Sequence, residues 1–196
     1  MGAGADARAR EVLDFWFGAP GTPGHGEARP EWFRKDPAFD AAIRDRFGAL
    51  HEEAARGGLG GWEAAPGPML ALVIVLDQFS RNLFRGDRRA FAQDARALAC
   101  ARAALARGDD RLRLPVERQF LYLPFEHSED PADQDLCVEL MGSLEAFAPT
   151  RGLTAWAEKH RDLIRRFGRF PHRNAALGRD STPEELDYLA RPGAGF

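Results

Sequence analysis

MLALVIVLDQFSRNLFRG, residues 69–86, opens with eight consecutive apolar side chains, Met69 to Leu76, before its first charge at Asp77. A helix that faces water on one side carries polar residues on that side, so a helix with none belongs at the centre of a bundle. Eight residues fall far short of the ~20 that cross a bilayer. The stretch therefore predicts a buried central helix running on to about Phe84, with Asp77, Gln78, Arg81 and Asn82 entering or bordering the core. Asp77 and Arg81 stand at i,i+4, the spacing of a helical ion pair, and Gln78 and Asn82 repeat that spacing one step round the helix.

Outward from this segment, apolar residues recur at helical spacing, and no stretch shows the strict alternation of a half-buried strand. Toward the N-terminus, Val12, Leu13 and Trp16 share one face of a helix that stops at Gly18. Asp36 before Pro37 reads as an N-cap with proline in the first turn, followed by Phe39, Ile43, Phe47 and Leu50 in helical register as far as about Gly57. Toward the C-terminus, Asp87 is expected to cap a helix reaching Arg107, and Pro115 opens another that Pro124 kinks or ends. Asp130-Pro131 repeats the cap signal. Leu153, Trp156, Leu163, Ile164 and Phe167 mark a further helix, and Thr182, Pro183 and Glu185 form a capping box for a last one ending near Ala190. These signals predict one all-α domain over residues 1–196: about eight helices as stacked antiparallel hairpins, with flexible loops near 18–30 and 57–68 and a tail at 191–196. Tetratricopeptide signature residues at 34-residue offsets are not visible in the sequence.

The 196 residues carry 27 basic and 30 acidic side chains, a formal charge of −3. That balance disfavours a nucleic-acid binder. Lysine occurs only at Lys35 and Lys159, neither in a Walker A context, which excludes a P-loop nucleotide hydrolase. The two cysteines, Cys100 and Cys137, are far apart within helical patterns, so buried free thiols and a reducing, cytoplasmic location are expected, with no secretory leader and no membrane segment.

Beyond the 76–86 stretch, two other segments place polar groups where chemistry is possible. PFEHSEDP, residues 124–131, gathers Glu126, His127 and Glu129 behind a proline-disturbed helix, although acids at 129 and 130 also suit a helix start. KHRDLIRRFGRFPHRNAALGR, residues 159–179, holds seven basic residues against Asp162, and its loop presents Arg169, His172, Arg173 and Asn174 together. His160, on the apolar stripe, reads as a core histidine.

With VLDFWFG near the start and WFRKDPAFDAAI after it, LDQFSRNLFRG, PFEHSED and RFGRFPHRNAALGR resemble the hallmark segments of the bacterial domain-of-unknown-function family 924. The resemblance runs from about Val12 to Leu189. It implies an all-helical, tetratricopeptide-like superhelix and singles out Asp77, Gln78, Arg81, Asn82, Glu126, His127, His172, Arg173 and Asn174, without implying an activity. From the residues, three readings follow. The first is a binding module whose cleft holds an anionic small molecule or peptide, because guanidinium forks match carboxylate and phosphate geometry. The second is a hydrolase of an anionic substrate, with Glu126 or His127 as base, His172 as acid, and Arg169 and Arg173 stabilising charge. The third is a structural scaffold whose partner face lies around Trp32, Phe33 or Trp62. No cofactor is expected. A metal reading of Glu126, His127, His160 and His172 lacks any recognised ligand spacing, so no metal is expected either.

Overall fold

A computed structural model describes residues 3–195, with side chains from residue 7 onward. Among the described residues every regular element is helical: α1 (Ala3–Phe17), α2 (Pro37–Ala55), α3 (Pro66–Leu76), α4 (Gln78–Leu83), α5 (Asp94–Arg107), α6 (Pro115–Glu126), α7 (Pro131–Gly142), α8 (Leu153–Phe167), α9 (Asn174–Leu177) and α10 (Pro183–Leu189). Short 3₁₀ turns, such as Gly60–Ala64 and Pro171–Arg173, fill several connections.

The apolar run does sit at the centre. Met69 to Leu76 are all 0–1% exposed, and α3 packs against α1, α2, α4, α5 and α6. Burying each such side chain contributes about 1.5–3 kcal/mol, so α3 alone anchors much of the core. Around it, Trp16 packs edge-on to Phe120 and Phe79, and stacks with Trp32. From α5 onward consecutive helices pack on one another, α5 on α6, α6 on α7 and α7 on α8, which is the hairpin pattern the sequence predicts. A small second cluster, Leu163, Ile164 and Phe170 with Phe167 and Tyr188, joins α8 to the C-terminal segment.

The caps fall where composition places them. Asp36 accepts hydrogen bonds from the Ala38 and Phe39 amides, Asp130 from Ala132, and Thr182 from Glu185, whose carboxylate in turn accepts from the Thr182 amide. Three boundaries differ from expectation. The central helix is broken at Asp77, where the Ser80 hydroxyl donates to the Leu76 carbonyl. Asp87 caps only the turn Arg88–Ala90, and α5 begins at Asp94. The 57–68 connection is not open loop: Trp62 is buried within it, and Trp32 is buried likewise, because both indoles have apolar neighbours to fill. Neither offers a partner face. Phe33, 62% exposed, is the one residue of that trio at the surface.

No described helix is long and apolar enough to cross a membrane. Cys100 and Cys137 are free and buried, and burial raises both thiols well above their usual pKa.

Candidate functional site

Three chain ends bring polar groups to one place. Asp77 caps α3, the first position after the apolar run, and is 1% exposed because the run carries it inside. His127 caps α6, its amide still bonded to the Leu123 carbonyl despite Pro124 inside the helix. Pro171–Arg173 follows α8, which Gly168 ends at φ +70°, a left-handed turn that lets the chain double back as Phe170 enters the core.

At the floor, His127 Nδ1 lies 2.7 Å from Asp77 Oδ1, and Gln78 Nε2 donates to Asp77 Oδ2 at 2.6 Å. Burial alone would raise the Asp77 carboxyl; the charge and hydrogen bond of His127, with help from Arg81 and Gln78, hold it instead at about 2. An ionised carboxylate only accepts, so Nδ1 carries the proton and Nε2 of His127 is left for other partners. Beside them, burial and then the Asp77 charge push Glu126 up to about 8. Glu126 Oε1 is 3.5 Å from Nδ1 of His160, a ring that also meets the Trp156 carbonyl at 2.9 Å. His160 is the core histidine its stripe predicts: burial lowers it to about 3.

Toward the surface, Arg81 meets Asp94 bidentately, at 2.8 and 2.9 Å, and Arg173 reaches the same carboxylate at 3.1 Å. Both guanidinium groups lie over Phe91, 4.7 and 4.9 Å from its centroid, and Arg173 also covers Phe170. Both cations thus converge on Asp94, and Arg81 has a second, more distant anion in Asp77 at 3.8 Å. Arg173 is buried, its Nε has no hydrogen-bond partner, and its pKa falls to about 10 through burial and the neighbouring Arg81. His172 is lowered to about 4 by burial and then by Arg173, His127 and Arg81, so the field at its ring is positive. Solvent reaches the cluster through the side chains of His127, Arg81 and Asp94, which are 15–21% exposed.

Other predicted residues turn elsewhere. Arg81 approaches Asp77 only to 3.8 Å, since the break at Asp77 disturbs the i,i+4 register and Asp94 offers a two-pronged partner. Asn82 donates to Asp40, which Arg85 also grips, tying α4 to α2. Arg169 pairs with Glu185, away from His172, because the capping box of α10 holds that carboxylate beside it. Asn174 bonds Ser181, Glu185 and Arg179 and is a fastener of the C-terminal segment. The basic surplus of residues 159–179 is likewise spent on carboxylates: Arg165 on Asp135, Arg166 on Glu184, and Arg179 on Glu129. Burial and the neighbouring cations favour the neutral form of His172 near pH 7, which weakens its case as a general acid.

Two residues escape a reading by local pattern. Asp94 sits in an arginine- and alanine-rich helix start, where an acid signals only the helix dipole. Glu129, explained locally as a helix-start acid, instead binds Arg179 through both oxygens and accepts from the Phe170 amide at 2.8 Å. No signal short of the fold pairs either with its arginine. Among the described residues no group of three or more His, Cys, Asp and Glu is disposed to hold a metal ion.

The model of a family described as bacterial protein of unknown function, DUF924, matches residues 12–193. The chain belongs to this family. A solved structure, the protein of unknown function ATU0120 from Agrobacterium tumefaciens, is 43% identical, covers 95% of this chain and 98% of its own, and superposes with a TM-score of 0.83. No curated protein matches. Membership of DUF924 thus extends over all three site segments while supplying no reaction.

Proposed function

We propose that this DUF924 protein is a cytoplasmic binding module that holds an anionic small molecule or peptide terminus at the mouth formed by Arg81, Arg173, His127 and His172. The observation that carries the reading is the pairing of two stacked guanidinium groups with the single carboxylate of Asp94. Buried charge is costly unless balanced, and a carboxylate or phosphate oxygen would supply the missing partner for Arg173. Thermal unfolding with a panel of phosphorylated and carboxylated metabolites tests it. A ligand at a hundred times its Kd adds about 2.7 kcal/mol, which raises Tm by roughly 5–10 °C in a chain of this size. The rise is lost in Arg173→Ala and partly kept in Arg173→Lys. If no compound in the panel moves Tm, the reading fails.

A second reading, hydrolysis of the bound anion, is favoured by the Asp77–His127 contact, an imidazole oriented by a buried carboxylate as general bases are. In it the neutral form of His127, its one proton on Nδ1, takes a proton from water at Nε2 as the water oxygen bonds the electrophilic centre, and Glu126, protonated near pH 7, gives its proton to the departing oxygen. Phosphate and carboxylate ester substrates test this reading: turnover by the wild type must exceed that of His127→Ala by at least about a hundredfold, the usual yield of a positioned base. Equal rates sink it.

A further inference from the structure

A cavity beside the first helix uses none of the residues of the Asp94 cluster. It is a half-open hollow of about 280 Å³ between α1, the 18–29 connection, the start of α3 and the start of α6. Its wall is apolar on one side, with Leu13, Phe17, Pro20 and Pro68, and polar on the other, with His25, the exposed Arg10, and Asp14 and Arg113 facing the same space. Asp14 and Arg113 are half-buried. Among the described residues neither has an ion-pair partner, and they do not pair with each other. The Nε of Arg113 is buried with no hydrogen-bond partner. Glu117, also at the cavity, is already engaged: one of its oxygens accepts from the Leu114 amide at 3.0 Å.

Half-burying a cation and an anion without joining them costs desolvation twice and recovers neither. A molecule carrying both charges on adjacent atoms would satisfy both at once. The apolar wall asks for an apolar body behind those charges. The volume, at ~30 Å³ for each water-sized group, has room for about nine non-hydrogen atoms. With Arg10 and Arg113 set against Asp14 and Glu117, the lining balances two guanidinium groups with two carboxylates, which suits a ligand of no net charge better than a phosphate dianion. We infer that this cavity is a second binding site, separate from the Asp94 cluster, for a zwitterion with an apolar side chain, the chemistry of a branched apolar α-amino acid. Arg113 holds its carboxylate, Asp14 its ammonium, and Leu13, Phe17 and Pro68 its side chain.

The test titrates the full chain with L-leucine and follows backbone amide shifts by NMR, alongside leucinamide, which lacks the carboxylate, and N-acetyl-leucine, which lacks the ammonium. Saturable shifts centred on residues 10–25 and 113–117 are expected for leucine, with each analogue at least about tenfold weaker, as loss of one charged hydrogen-bonding group implies. Arg113→Met and Asp14→Asn each weaken leucine by a similar factor without lowering Tm, since neither residue has a partner to lose. Arg173→Ala leaves leucine binding intact, so this site and the anion site stand or fall separately. Absence of saturation by about 10 mM leucine, equal affinity for all three compounds, or shifts centred elsewhere overturns the proposal.

Discussion

Replacing Glu126 with glutamine makes the protein more stable at neutral and alkaline pH, by an amount that grows with pH. Burial and the Asp77 charge move this carboxyl from 4.5 up to about 8 in the folded chain, while the unfolded chain returns it to its ordinary value. Unfolding therefore releases a proton between those two values, so the folded state is fully supported only below pH ~4.5 and loses stability as pH rises through 8. At 1.36 kcal/mol per decade of proton equilibrium, the wild type is handicapped by ~1 kcal/mol at pH 5, ~3 at pH 7 and ~5 at pH 9. Glutamine has the shape of the neutral acid and cannot ionise, so Glu126→Gln escapes that handicap. Urea denaturation of both proteins at the three pH values reads the difference directly. A stability difference that stays constant from pH 5 to pH 9, or one that turns against the variant as pH rises, would refute a protonated Glu126 in the native state.

Removing the shared anion by Asp94→Ala leaves Arg81 and Arg173 facing each other, and a loss of about 3–5 kcal/mol is expected in chemical denaturation, the cost of stripping a partner from a buried pair. In the acid range, His51, His160 and His172 each have a pKa lowered by burial, the latter two to about 3 and 4, so the unfolded chain takes up more protons; stability present above pH ~6.5 is lost on acidification, and His160→Gln flattens that limb of the pH–stability curve. Leu72→Ala, at a site 0% exposed in α3, costs about 2–5 kcal/mol by thermal or urea unfolding, whereas Leu112→Ala, 70% exposed, stays within ~0.5 kcal/mol.

What local chemistry dictates, the chain announces along its length. Asp36, Asp130 and Thr182 each cap a helix because a short side-chain oxygen just before a proline-started helix accepts from its exposed first-turn amides. Met69 to Leu76 lie in the core because no arrangement of an all-apolar helix avoids it. Those two signals suffice for an all-α fold built around α3, and the resemblance carried by the polar segments points to the family. Partner choice among charges is another matter. Six arginines between residues 161 and 179 look alike in sequence, yet Arg169 fastens Glu185 while Arg173 crosses to Asp94, 79 positions away. Arg81 prefers that same distant acid to the aspartate four residues before it. A helix start shows an acid but not what it will meet, since long-range pairs depend on how α4, α5, α6 and the Pro171–Arg173 turn converge. Coulomb attraction is non-directional and screened beyond about 10 Å in salt solution, so it is tertiary packing that decides which guanidinium is left short of a partner.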